Sequence, residues 1–87
     1  MSKEPEHHLL LVDQDLDYLD WATKHLGAEG LKILRCDSAD KASQVVKKAP
    51  IDVVICDIKL DPFDGVELLQ LIRASSPETI TILTAVS

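Results

Sequence analysis

Two aspartates in this sequence each follow directly on a run of four apolar residues. Asp13 comes after residues 9–12, and Asp57 comes after residues 53–56. An apolar run of this length suits a strand buried on both faces, as in a parallel sheet covered by helices, and the residue at its end lies at the rim of the core. If the two strands are neighbours, both carboxylates face one crevice, where a divalent cation such as Mg²⁺ relieves their repulsion. We therefore expect the chemistry of this chain at Asp57, with Asp13 beside it.

A carboxylate held by a metal can also act as a nucleophile toward phosphorus and form an acyl phosphate. The cation would neutralise charge on the phosphoryl group, and Thr84, at the end of another apolar strand, could donate a hydrogen bond to one of its oxygens. The alternative for the nearby acids is structural. Asp13 and Asp15 could simply cap the helix that follows them, and Asp64 suits a helix cap better than a ligand.

The pattern around these residues alternates between strands and helices. The predicted strands share an apolar run and cover residues 9–12, 31–36, 52–57 and 79–84. Three helices are predicted to begin after the capping residues Asp15, Ser38 and Asp64. The partial alternation within residues 31–36 indicates an edge strand. A β-α-β-α-β-α-β order with short connections predicts the α/β class with a doubly wound parallel sheet.

Composition excludes several kinds of protein. The chain has 87 residues and a net charge of −6, which disfavours direct contact of this segment with nucleic acid. Its apolar runs are far shorter than the roughly 18 residues of a membrane span, so we expect no membrane partner. Residues 1–8 are polar and predict a flexible tail without the features of a signal peptide, which indicates a cytoplasmic location. Cys36 and Cys56 are predicted to be buried free thiols.

Taken together and in order, the motifs of this chain resemble the receiver domain of two-component response regulators. The motifs that carry the resemblance are Leu11-Val12-Asp13, Val54-Ile55-Cys56-Asp57-Ile58, Asp64-Gly65-Val66-Glu67-Leu68-Leu69 and Leu83-Thr84-Ala85. The resemblance covers residues 9–87 and implies a flavodoxin-like receiver fold. It also implies a signalling module rather than an enzyme, with a sensor histidine kinase or a phosphotransfer protein as its partner.

The resemblance implies a role for five positions. Asp57 matches the aspartate that accepts a phosphoryl group from a phosphohistidine. Asp13 matches the first of two acids that hold Mg²⁺, and Lys59 matches the position whose backbone carbonyl binds the metal. Thr84 matches the hydroxyl residue that turns onto the phosphoryl group, and Ala85 follows it as in the family.

The chain departs from the family pattern in three places. Gln14 stands where the second metal-binding acid is usual, and its amide oxygen can still bind Mg²⁺ but without a negative charge, so the affinity should fall. Asp61-Pro62 sets the proline one place late, which predicts a different path for the loop after Asp57.

The third departure is that the last helix–strand–helix part of the family, with the lysine that pairs with the phosphoryl group, has no counterpart here. We therefore expect residues 9–87 to be the N-terminal portion of a receiver. Its fourth strand, with Ile80 and Ile82, would be an open apolar edge that favours self-association.

Two other functions remain open at this point. Gln14 and the absent lysine are also compatible with a degenerate receiver that binds partners without being phosphorylated. Asp13-Gln14-Asp15 after an apolar strand is similar to the nucleophile motif of haloacid-dehalogenase-type phosphatases. In that case Asp13 is the nucleophile, Asp15 the acid/base and Thr84 the second-motif hydroxyl, which leaves Asp57 unexplained.

Overall fold

The predicted alternation of strands and helices is present in the computed structural model, which describes residues 7–27 and 30–85. The strands are β1 (His7–Val12), β2 (Leu31–Cys36), β3 (Val53–Asp57) and β4 (Ile80–Thr84). The helices are α1 (Leu16–Leu26), α2 (Ala39–Lys48) and α3 (Gly65–Ser75). Among these helices, none is both long enough and apolar enough to cross a membrane.

All strand pairs are parallel, and the order of strands in the sheet is β2-β1-β3-β4. The first strand therefore lies between the second and the third, as a doubly wound sheet requires. Val12 at the end of β1 is in register with Cys36 and with Cys56, and Asp57 is in register with Thr84. This register brings the carboxyl ends of all four strands to one edge. The strand order places β2 at one side of the described sheet, as predicted.

The helices cover the two faces of the sheet unequally. On one face, α2 and α3 enclose the larger core cluster, which includes Val54 and Cys56 of β3. On the other face, α1 packs through Leu19 and Ala22 onto a smaller cluster. The prediction that β3 is buried on both faces is therefore right for the α2/α3 face only. Val53 and Ile55 on the α1 face are half-buried, because α1 is the only described helix that packs there.

The start of each helix is determined by a capping side chain, as predicted. Asp15, Ser38 and Asp64 each accept hydrogen bonds from backbone N–H groups two or three residues later, at 2.9 to 3.2 Å. These bonds satisfy N–H groups that have no partner inside the helix. For Asp64 this is the role that the sequence favoured over that of a ligand.

The predicted tail, residues 1–8, includes two residues that belong to the first strand. His7 and His8 belong to β1, where they pair with Leu31 and Lys32 of β2. The His8 backbone N–H also donates to the Asp52 carboxylate at 2.7 Å. Backbone hydrogen bonds therefore extend β1 over His7 and His8, although their polar side chains do not predict a strand. Residues 1–6 of the predicted tail lie outside the described residues.

The two cysteines are free and buried, as the composition indicated. Burial, and secondarily the charge of Asp57, raises the pKa of the Cys56 thiol to about 11. Burial is also the main cause that raises the pKa of the Cys36 thiol. Both thiols are therefore protonated at neutral pH and fill space in the core.

Candidate functional site

The candidate site lies at the carboxyl end of the sheet, where three strands end beside one another. Asp13 follows β1, Asp57 is the last residue of β3, and Thr84 is the last residue of β4. Asp57 and Thr84 are register partners on adjacent strands, and β1 is the other neighbour of β3. The three side chains predicted from the sequence to share a crevice are therefore brought to one edge of the sheet.

Asp13 is the buried acid of the site, with only 6% of its surface exposed. Its Oδ1 accepts a hydrogen bond from the backbone N–H of Asp15 at 2.9 Å. Burial raises the pKa of the Asp13 carboxyl above its usual range, and the negative charges of Asp57 and Asp15 add to that effect. Backbone N–H groups of Asp15 and Gln14 act in the opposite direction. The ionised form of Asp13 is therefore held at a cost, which a cation in the crevice would offset.

Asp57 is half-buried, and the backbone around it is fixed on two sides. The Lys59 N–H donates to Asp57 Oδ1 at 3.3 Å, and the Ile58 N–H donates to the carbonyl of Thr84 at 3.0 Å. No hydrogen bond to Asp57 Oδ2 is present among the described residues. One oxygen of the carboxylate is thus oriented by the loop, while the other remains available to a reaction partner.

Gly65, the first residue of α3, packs directly against the backbone of Asp57. A Cβ atom at position 65 would lie 2.2 Å from the Asp57 carbonyl oxygen and 3.0 Å from the Ile58 Cα. The Gly65 N–H donates to the carbonyl of Ile58 at 2.8 Å. Only a residue without a side chain permits this approach, so Gly65 helps to position Asp57 in addition to starting a helix.

The hydroxyl of Thr84 donates to the carbonyl of Cys56 at 3.4 Å, a long hydrogen bond. Thr84 is half-buried and Ala85 is exposed. The structure thus places Thr84 next to Asp57, as predicted, with its hydroxyl bonded to Cys56, the residue before Asp57 in β3. The role predicted for Ala85 stays a prediction.

The side chain of Gln14 contacts a residue that the sequence did not single out. Its amide Nε2 donates to Asp61 Oδ2 at 2.8 Å. The backbone carbonyl of Asp61 accepts from the N–H of Ala39, the first residue of α2, at 3.0 Å. Asp61 therefore connects the loop after β3 with the loop after β1 and with the start of α2. Its only signal in the sequence was the displaced proline beside it, which predicted a changed loop path but not this contact.

The donor atoms at this edge suit a hard cation. Within residues 7–27 and 30–85, no group of three or more His, Cys, Asp and Glu side chains converges on one point. Mg²⁺ does not require such a group, because it is usually held by one or two carboxylates and keeps several waters. Asp13 and Asp57 are a carboxylate pair of this kind, and the amide oxygen of Gln14 and the carbonyl of Lys59 remain the neutral donors predicted from the sequence. The raised pKa of Asp13 is the electrostatic condition that a cation would relieve.

Comparison with known proteins gives a consistent result. The family model described as the response regulator receiver domain matches residues 9–87. The transcriptional regulatory protein GlrR of Escherichia coli K12 is 35% identical over 86 residues, which are 98% of this chain and 19% of that protein. The regulatory protein VirG of Agrobacterium tumefaciens is 30% identical over 84 residues, which are 97% of this chain and 32% of that protein.

Two solved structures of receiver domains have a similar fold. The signal receiver domain of an HD domain-containing protein from Pseudomonas fluorescens Pf-5 superposes with a TM-score of 0.87 at 26% identity, covering 95% of this chain and 61% of that one. A CheY-like receiver domain protein from Methanospirillum hungatei JF-1 also gives a TM-score of 0.87, at 25% identity, covering 92% of this chain and 64% of that one. The chain thus spans less than two thirds of each of these four proteins.

Proposed function

This chain belongs to the response regulator receiver domain family, and on that premise we propose that Asp57 accepts a phosphoryl group from a phosphohistidine of a partner protein. The partner is a sensor histidine kinase or a phosphotransfer protein. Receiver domains of this family are generally signalling modules rather than classical enzymes, and the relatives described above are regulatory proteins by name. The observation that carries the proposal is the carboxylate of Asp57 at the end of β3, between the ends of β1 and β4.

The transfer forms one bond and breaks one. Asp57 Oδ2 attacks the phosphorus of the phosphohistidine, the phosphorus–nitrogen bond breaks, and the imidazole leaves with its electron pair and takes a proton from solvent. The product is an acyl phosphate on Asp57. The Lys59 N–H on Oδ1 keeps the carboxylate oriented during the attack, since it donates to the oxygen that does not react.

Asp13, Asp57, the Gln14 amide oxygen and the Lys59 carbonyl would hold Mg²⁺. When bound, the cation neutralises part of the charge that accumulates on the phosphoryl oxygens. Asp13 contributes a buried carboxylate whose position is fixed by the Asp15 N–H. Gln14 contributes an oxygen without a charge, so the site should need a higher Mg²⁺ concentration than one with a third carboxylate.

Thr84 is the proposed sensor of phosphorylation. Its hydroxyl makes a long bond to the Cys56 carbonyl, and a phosphoryl oxygen on Asp57 is a stronger acceptor because it is charged. We infer that the hydroxyl exchanges one acceptor for the other. That movement of the end of β4, and of Ala85 after it, would carry the signal.

Membership in the receiver family leaves the phosphatase hypothesis, with Asp13 as nucleophile, without support. The degenerate receiver is retained as the second candidate, because Gln14 lowers the negative charge of the site and its amide is bonded to Asp61. In that case the domain would bind its partner in one state only.

The experiment is to incubate the protein with acetyl phosphate and Mg²⁺ and to measure its intact mass. The proposal predicts one added phosphoryl group, located on Asp57 by peptide mapping and lost in Asp57→Asn. A label on Asp13 would instead favour the phosphatase. If a folded protein takes up no label from acetyl phosphate or from a phosphorylated histidine kinase, the degenerate receiver is favoured.

We also propose that β4 mediates self-association when nothing else covers it. Ile80 and Ile82 are 61% and 45% exposed and lie on the α1 face of the sheet, opposite Val53 and Ile55 in the register. As the last strand of the described sheet, β4 presents unpaired backbone groups beside these apolar side chains. Pairing of the β4 strands of two molecules would satisfy these backbone groups and cover the side chains of Ile80 and Ile82.

A further inference from the structure

We infer that Asp61 is a positioning residue for the cation site: it orients the Gln14 amide so that the amide oxygen is available to Mg²⁺. The inference rests on the proposed function and concerns the same site. Its starting point is the 2.8 Å hydrogen bond from Gln14 Nε2 to Asp61 Oδ2, between two residues that are 47 positions apart.

The chemistry of the two side chains decides which way the amide faces. An ionised carboxylate can only accept hydrogen bonds, so the nitrogen of the Gln14 amide must point to Asp61. The amide oxygen then points away from Asp61. Among the described residues, no donor is bonded to that oxygen. A free glutamine side chain would present either end of its amide to the crevice, whereas this one is left with its oxygen unpaired.

Asp61 is itself held in place from two sides. Its carbonyl accepts from the Ala39 N–H at 3.0 Å, and the preceding residue, Leu60, is buried in the larger core cluster. The loop that carries Asp61 is therefore attached to α2 and to the core. A fixed partner of this kind reduces the rotamer freedom that Gln14 must lose on binding a cation.

The arrangement also explains how the site functions with a neutral residue at position 14. A carboxylate at that position would add a further negative charge beside the carboxylates of Asp13 and Asp57, which lie at the ends of the adjacent strands β1 and β3. In this chain the negative charge is carried by Asp61, which is exposed, and the crevice receives a neutral oxygen. Gln14 and Asp61 thus act as a pair, and the effect of Asp61 on the cation should depend on Gln14.

A double-mutant cycle tests this dependence. Mg²⁺ affinity is measured by titration calorimetry for the wild type, Asp61→Ala, Gln14→Ala and the double variant, and melting temperatures without Mg²⁺ check that each folds. We expect each single variant to bind Mg²⁺ about tenfold more weakly, the usual loss for a partner that orients a ligand. The double variant should stay within about threefold of Gln14→Ala, because Asp61 has nothing left to orient.

Two further variants separate orientation from charge. Asp61→Asn removes the charge and offers the Gln14 amide both an acceptor and a donor, so the amide can then face either way. Its Mg²⁺ affinity should fall about threefold, which is less than the loss in Asp61→Ala. It also replaces Asp61→Ala if that variant does not fold. Asp40→Asn removes another exposed acid from the first turn of α2 and should leave Mg²⁺ affinity unchanged.

Three results would overturn the inference: Mg²⁺ binding by Asp61→Ala that equals the wild type, a double variant that loses the product of the two single effects, or equal losses in Asp61→Asn and Asp61→Ala. If the wild type binds Mg²⁺ and is phosphorylated on Asp57 in these cases, only the role of Asp61 is wrong. If the wild type does neither, the proposed function is wrong and the inference fails with it.

Discussion

Replacing Gly65 with alanine should destabilise the domain and impair phosphorylation at the same time. The new Cβ would lie 2.2 Å from the carbonyl oxygen of Asp57, where carbon atoms normally approach to about 3.5 Å. The backbone at Asp57 or the start of α3 must therefore shift by roughly 1 Å. No flexible side chain can absorb the overlap, because the three closest atoms all belong to the backbone of Asp57 and Ile58.

The size of the effect follows from three contributions. Overpacking against a fixed backbone costs about 1–3 kcal/mol. Weakening the 2.8 Å hydrogen bond from the Gly65 N–H to the Ile58 carbonyl costs up to about 1 kcal/mol. The lower entropy of the unfolded chain with alanine returns about 0.4–1 kcal/mol. The net loss is about 2 kcal/mol, which corresponds to a fall in melting temperature of roughly 8–16 °C for a domain of this size.

The assay is thermal unfolding followed by circular dichroism, combined with the rate at which acetyl phosphate labels Asp57. Gly30→Ala is the matched control. Gly30 has a φ of +82°, and a Cβ at this position would meet no atom of a non-neighbouring residue within 4 Å. Gly30→Ala should therefore lower the free energy of unfolding by about 1 kcal/mol through backbone conformation alone. It should not alter the rate at which Asp57 is labelled. A Gly65→Ala variant that melts and labels like the wild type would refute the close approach beneath Asp57.

Two other substitutions test the electrostatics and the edge of the sheet. Asp13→Asn should stabilise the Mg²⁺-free protein by about 1 kcal/mol at neutral pH, since it removes a buried charge and can keep the bond to the Asp15 N–H. Because folding raises the pKa of Asp13, the wild type loses stability as the pH rises from the unfolded pKa of 3.8 through the folded pKa. The stability advantage of Asp13→Asn should therefore vanish at pH values below that window. Melting curves at a series of pH values test this, and an advantage that persists in acid would contradict it. Ile82→Lys should reduce self-association in sedimentation velocity without lowering the melting temperature of the monomer, and a wild type that is monomeric at all concentrations would contradict the role of β4.

The elements of the fold could be predicted from the sequence because their signals are local. A capping side chain such as Ser38 or Asp64 lies next to the helix that it starts, and an unbroken apolar run marks a strand wherever that strand is later placed. The positions of Asp13 and Asp57 followed from the same signals, since parallel strands end at one edge. The sequence of a strand does not show which of its faces the helices cover. The apolar run before Asp57 looked equally buried on both faces, and only the packing of the helices separates Val54 from Ile55.

The contacts that complete the site depend on the path of loops. Gln14 and Asp61 are exposed polar residues in separate loops, and neither has a periodic or capping signal that relates it to the other. Gly65 could be recognised as the start of a helix from its neighbour Asp64. Its approach to the Asp57 carbonyl becomes visible only when α3 is docked against β3.

The charge distribution of the site reflects two opposed requirements. Binding a cation favours carboxylates in the crevice, whereas folding without the cation favours fewer of them, because each adds to the repulsion already felt by Asp13. A neutral Gln14 adds no charge to that repulsion, and in the inferred arrangement the exposed Asp61 orients the Gln14 amide from a position that water screens. In the proposed site, the neutral residue that should weaken Mg²⁺ binding should also make the Mg²⁺-free domain easier to fold. On this reasoning, the neutral Gln14 lowers the affinity of the site for Mg²⁺, and its hydrogen bond to Asp61 offsets part of that loss by orienting the amide.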